Sequence, residues 1–247
     1  MSQLTLTPVR DVETTNSDWN RLCKLGGIVA WIQLGCLLFT IISLTILGAE
    51  PTTAEATYKM LQDDGFVGLL RLDFATLILL ALFPFVAVAL FTAFRYSQQA
   101  YALLALVLIL MGTLLGLANH SAFSIMYLSD LYAAAATAAQ QEQFLAAGEA
   151  VIASNMWNST AGFLAGIFMQ GGFVFISFVM LRSKEFSKGT AYTGILSNGL
   201  DLIHVFIMLF APALATTVLS IGGVFYLIWF PLLGRDLYRL GKDVSPD

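Results

Sequence analysis

The chain reads as an all-α protein, a polytopic six-helix transmembrane bundle with both termini cytoplasmic and short helices in its two outer loops. Three observations predict this. Hydrophobic residues make up 58% of the 247 and charged residues only 11%, with a mean hydropathy of +0.79, against about 25% charged in a soluble domain. Six apolar runs are long enough to cross a bilayer, which takes about 20 helical residues. The Lys and Arg residues fall almost wholly on one side of those runs, as cytoplasmic loops do.

Residues 1–24 are polar and mixed in charge, with no apolar run ahead of a small-residue cleavage site. They read as a cytoplasmic segment, and the first apolar run, 25–47, as a retained signal anchor. The first outer loop, 48–65, contains Pro51-Thr52-Thr53-Ala54-Glu55. Thr52 and Glu55 have capping-box spacing, which predicts a short helix ending at Gly65. The second and third runs, 66–94 and 101–127, are long and expected to tilt or to extend beyond the bilayer. The second outer loop, 128–160, is rich in alanine and glutamine and has no Lys or Arg. It predicts a surface helix ending before Asn155-Met156-Trp157-Asn158. The fourth, fifth and sixth runs are 161–181, 191–210 and 214–233. Only Ala211, Pro212 and Ala213 separate the last two, a tight hairpin in which Pro212 cannot continue the fifth helix cheaply. The transmembrane domain thus covers 25–234, and 235–247 is a cytoplasmic tail.

Orientation follows from the cations. Arg10, Arg21, Lys24, Arg95, Arg182, Lys184, Lys188, Arg235, Arg239 and Lys242 share one side if there are six spans; Lys59 stands on the other and Arg71 within the second run. The net charge of −4 and the lack of a basic block exclude nucleic acid as a partner. Cys23 and Cys36 are too far apart along one helix to bridge. No metal ligand set and no cofactor motif is present. The expected partners are the lipid bilayer and a small ligand or a membrane protein.

Two GxxxG pairs, Gly112/Gly116 and Gly162/Gly166, predict close helix packing. Continued by four, these stripes reach His120 and Gln170. The chemistry-bearing residues are few. Asn198, Asp201 and His204 are spaced by three, so they share one face of the fifth helix. Asp201 falls ~15 Å into the membrane, near the midplane. Arg71 and Asp73 lie in the outer half of the second run, Asn119 and His120 near the outer end of the third, and Asn158 at the outer start of the fourth. Ionisable groups at such depth face a bundle interior or a wet cavity. The expectation is one outward-facing polar cluster with Arg71 paired to Asp201 or Asp73, binding or transporting a small solute, ion or lipid. A non-catalytic structural or regulatory subunit, whose polar network only fixes helix register, is the alternative. An intramembrane enzyme is the third reading, but no GxGD, HExxH or GxSxG pattern supports it.

Four segments resemble a known family: Gly68-Leu-Leu-Arg71-Leu-Asp73-Phe74, Trp157-Asn158-Ser-Thr-Ala-Gly162, the stretch from Val179 through Arg182, Phe186, Thr190 and Gly194 to Leu196, and Gly234-Arg235-Asp-Leu-Tyr238-Arg-Leu-Gly241. They are similar to the bacterial membrane family called domain of unknown function 4386. The resemblance implies a six-helix, multi-pass protein of the bacterial inner membrane. It implies no activity, cofactor or catalytic residue.

Overall fold

The computed structural model describes residues 10–48 and 50–242, and they are helical almost throughout. The elements are α1 (Arg10–Leu47), α2 (Ala54–Asp63), α3 (Gly65–Arg71), α4 (Phe74–Phe94), α5 (Gln99–Ala118), α6 (Ala122–Ala133), α7 (Ala138–Ala153), α8 (Thr160–Arg182), α9 (Lys188–Ile207) and α10 (Pro212–Leu240). Local chemistry sets several starts. Thr53, Thr137, Ser159 and Ser187 each accept a hydrogen bond from a backbone N–H in the first turn of α2, α7, α8 and α9, satisfying donors that a helix leaves open. Pro212 begins α10, where its missing N–H costs nothing.

Six long helices close into a ring, in the order α1, α4, α5, α8, α9, α10 and back to α1. An aromatic centre fills it: the Phe83 ring lies tilted against Phe173 at 4.9 Å, and Trp229 meets Phe173 edge-on at 5.5 Å. Trp229 and Phe173 are fully buried. The outward surfaces of these helices carry exposed Ile, Leu and Phe, as on Ile42, Phe85 and Leu114. That inversion suits a lipid solvent.

The ring has two distinct ends. At one end α2, α6 and α7 pack together around a small core of Tyr58, Leu61 and Ile125. Tyr58 donates to the Phe144 carbonyl at 2.8 Å, and Glu149 accepts from Ala54 N at 2.7 Å. The other end gathers cations and both ends of the described chain. The Arg95 guanidinium lies 4.5 Å from the Trp19 ring, and Arg239 donates to the Glu185 carbonyl.

The structure corrects three expectations. The second run breaks at Leu72 and Asp73, because Asp73 adopts φ +55°, a left-handed conformation that no helix interior accommodates. The third breaks at Asn119–His120, where the Asn119 side chain bonds back to the Leu115 carbonyl at 2.9 Å. Thr53, one residue after the expected Thr52, caps α2, which ends at Asp63; Asp64 then caps α3 by accepting from Phe66 N and Val67 N. Five helices are long and apolar enough to cross a membrane: Asp18–Leu47, Phe74–Phe94, Gln99–Ala133, Thr160–Arg182 and Pro212–Leu240. The expected fifth span, α9, falls short of that apolarity because Asn198, Asp201 and His204 interrupt it.

Glycines set the closest approaches. A Cβ on Gly112 would stand 2.6 Å from the Ala165 carbonyl oxygen, so α5 and α8 touch backbone to backbone there. A Cβ on Gly27 would meet the Gly234 carbonyl at 2.7 Å, which joins α1 to α10. The other expected packing glycines do different things. Gly166 faces Val205 across α8 and α9; Gly116 has ordinary room; Gly162 abuts the Met156 backbone in the turn that enters α8.

Candidate functional site

The inner faces of α8, α9 and α10 meet at a buried polar network. Asp201 and Asn198 come from α9, one turn apart. Gln170 comes from α8 and Tyr226 from α10. Gln170 Nε2 donates to Asp201 Oδ2 at 3.1 Å. The Tyr226 hydroxyl lies 2.9 Å from the same Asp201 oxygen, 3.0 Å from Asn198 Oδ1 and 3.2 Å from Gln170 Oε1. Asn198 Nδ2 donates to the Gly194 carbonyl at 2.9 Å and to Ser197 Oγ at 3.2 Å. Asn198 is fully buried, and Gln170 and Tyr226 are nearly so. The second carboxylate oxygen, Asp201 Oδ1, is sealed from solvent and has no hydrogen-bond partner. It faces Gly222 on α10, where a Cβ would stand 3.0 Å from it.

Of the residues singled out in the sequence, the structure brings Asn198 and Asp201 together and distributes the rest. His204 is buried one turn beyond Asp201 and takes no part in the bonds to it. Arg71 ends α3 with its guanidinium beside Gly48, after α1. Asp73 occupies the left-handed turn before α4. Asn119 bonds within its own helix, and His120 Nδ1 accepts from Ala122 N at 3.4 Å, at the start of α6. Asn158 donates to the Ile152 carbonyl at 3.0 Å in the turn between α7 and α8.

The expected single cluster is therefore not formed, and the bonds to Asp201 come from Gln170 and Tyr226 in place of Arg71. The reason is local. Asn119, His120 and Asn158 lie near helix ends and bond to backbone groups of their own turns, while Gln170, Asn198 and Asp201 lie well inside their helices and bond across to neighbouring ones. Asp73, just before α4, and Asp201 on α9 belong to opposite parts of the ring. Among the described residues no group of three or more His, Cys, Asp or Glu is placed to hold a metal ion.

Tyr226 and Asp236 were missed from sequence. The first had a signal: Gly222 and Tyr226 are four apart, so the residue beside Asp201 Oδ1 and the residue bonded to Oδ2 share a face of α10. Asp236 is fully buried at the cation-rich end. It accepts from Ser187 N at 2.8 Å, from Thr190 Oγ1 at 2.6 Å and from Arg235 at 2.9 Å, so it fastens the start of α9 to the end of α10. Comparison with family models, with curated proteins and with solved structures finds no match.

Proposed function

We propose that the chain is a six-span membrane protein, both ends cytoplasmic, whose α8–α9–α10 seam binds a small solute or ion for transport. The unpartnered, sealed Asp201 Oδ1 carries this reading. A carboxylate oxygen inside an apolar ring loses several kcal/mol of hydration, and a fold has no packing reason to keep one without a use. Two features support the topology. The expected fifth span, α9, takes a full place in the ring between α8 and α10. The cations gather at the end that holds Trp19 and Gly241, as cytoplasmic ends do. The setting that the resemblance to domain of unknown function 4386 implies, the bacterial inner membrane, agrees with both.

The test is thermal unfolding of the purified chain in mild detergent across a panel of ions, metabolites and lipids. Some member raises the wild-type midpoint, and Asp201→Asn abolishes that rise. A ligand at ~100 times its Kd stabilises by about 2.7 kcal/mol, well above detection. A wild-type shift that Asp201→Asn leaves intact would remove the site.

One observation favours a second reading. The same four side chains tie three helices together, so the network also fixes their rotation. If that is its whole role, Asp201→Leu keeps or raises the unfolding midpoint, since an apolar side chain often replaces a buried polar network at no loss, and no panel member shifts wild type.

A further inference from the structure

We propose that Asp201 binds an exchangeable proton, held in a hydrogen-bond chain that runs from its carboxyl through Tyr226 to Asn198. The proposal rests on reading this network as an ion site, and it names the ion. Its basis is a count of hydrogens. The Tyr226 hydroxyl faces three oxygens at 2.9, 3.0 and 3.2 Å, yet a phenol has one hydrogen to give. The amides cannot make up the difference. Asn198 Nδ2 is committed to Gly194 and Ser197, so Asn198 must present its carbonyl oxygen to the hydroxyl. Gln170 Nε2 is committed to Asp201 Oδ2, so Gln170 too presents its oxygen.

With Asp201 ionised, Tyr226 gives its hydrogen to Oδ2. Asn198 Oδ1 and Gln170 Oε1 then face only lone pairs, and Asp201 Oδ1 has no donor. The helices packed against α9 bring no cation to the carboxylate. From α10 the titratable group that faces it is Tyr226, α8 contributes the neutral Gln170, and on α9 itself His204 stands one turn away without joining the network. Arg182, Lys188 and Arg235 lie at the cation-rich end.

One added proton serves two of the three contacts, leaving only the longest, to Gln170 Oε1 at 3.2 Å, without a hydrogen. The Asp201 O–H donates to the Tyr226 oxygen, and the Tyr226 O–H donates to Asn198 Oδ1. When the proton leaves, the phenol O–H rotates from Asn198 to Asp201 Oδ2. One O–H bond breaks at the carboxyl, the departing proton passes to water or to the transported solute, and no heavy atom has to move. The seam therefore has two hydrogen-bond states that differ by one proton.

Infrared spectroscopy of the full chain in lipid tests this. At neutral pH the wild type shows a protonated-carboxyl C=O stretch that shifts in D2O, disappears at high pH and is missing from Asp201→Asn. In Tyr226→Phe the band remains but moves, because the acid has lost the phenol oxygen. A neutral-pH spectrum in which wild type and Asp201→Asn share the same carboxyl bands overturns the proposal; so does a Tyr226→Phe band identical to wild type, a readout that survives if Asp201→Asn does not fold. Stabilisation by sodium chloride over choline chloride, lost in Asp201→Asn and without the band, leaves an ion site but assigns it to a metal cation. The band without any ligand-induced stabilisation keeps the proton and removes the transport reading.

Discussion

Asp236→Ala is expected to lower stability by about 3 kcal/mol, measured by equilibrium unfolding in mixed detergent. Asp236 is fully buried and serves three donors at once: the Ser187 backbone N–H, the Thr190 hydroxyl and the Arg235 guanidinium. Hydrogen bonds to a charged group contribute about 1.5–3 kcal/mol each, but Arg235 is more than half exposed and rehydrates when its partner goes. The loss therefore comes from the Ser187 and Thr190 bonds. These sit at the first turn of α9, whose capping residue is Ser187. Asp236→Asn separates the contributions. Its carbonyl oxygen takes the place of Oδ2 and keeps Ser187 and Thr190, while its NH2 faces the guanidinium. The expected cost is about 1 kcal/mol. Equal losses in the two variants would mean that Arg235 holds the junction.

The second large effect is a contrast within one GxxxG. Gly112→Ala is expected to cost about 1–3 kcal/mol, as overpacking of a closed contact does. The new Cβ would run into the Ala165 carbonyl and the Met169 backbone, and backbone atoms cannot rotate away as a side chain end can. α5 and α8 must separate along their contact. Gly116→Ala, one turn on, meets Leu80 Cδ1 at 3.6 Å and Ala165 Cβ at 3.9 Å, ordinary contact distances. There alanine's better helix propensity, worth about 1 kcal/mol over glycine, is expected to leave stability unchanged or higher. Unfolding midpoints of the two variants side by side decide the matter. Matching gains would show that the glycines act through helix propensity alone.

This contrast shows where sequence reading stops. The spacing of Gly112, Gly116, Gly162 and Gly166 identifies faces on which small residues recur, but it contains no partner. Gly112 is pressed against α8, while Gly162 serves a turn in its own chain. The pair that joins α1 to α10, Gly27 and Gly234, has no such spacing and became visible only when the helices were in place. The same holds for polar groups. Asn198 and Asp201 were legible as one face of a helix because three-residue spacing is a local property. Asn119, His120 and Asn158 stood at a plausible depth, but depth counts residues along a helix and says nothing of the turn that consumes the side chain.

The sequence by itself determined that the chain is helical and suited to a membrane, that its cations gather at one end, and that α9 is the polar helix with Asp201 on its inner face. Each of these is a sum or a period over neighbouring residues, which hydropathy and helix geometry read directly. Only the tertiary structure decided that Asp201 meets Tyr226 and Gln170 in place of Arg71, that the second and third runs break at Asp73 and Asn119, and that Asp236 fastens α9 to α10. The contacts of Asp201 and Asp236 depend on how each helix is rotated about its own axis in the closed ring. That rotation is fixed by packing against two neighbours at once, so no single segment contains it.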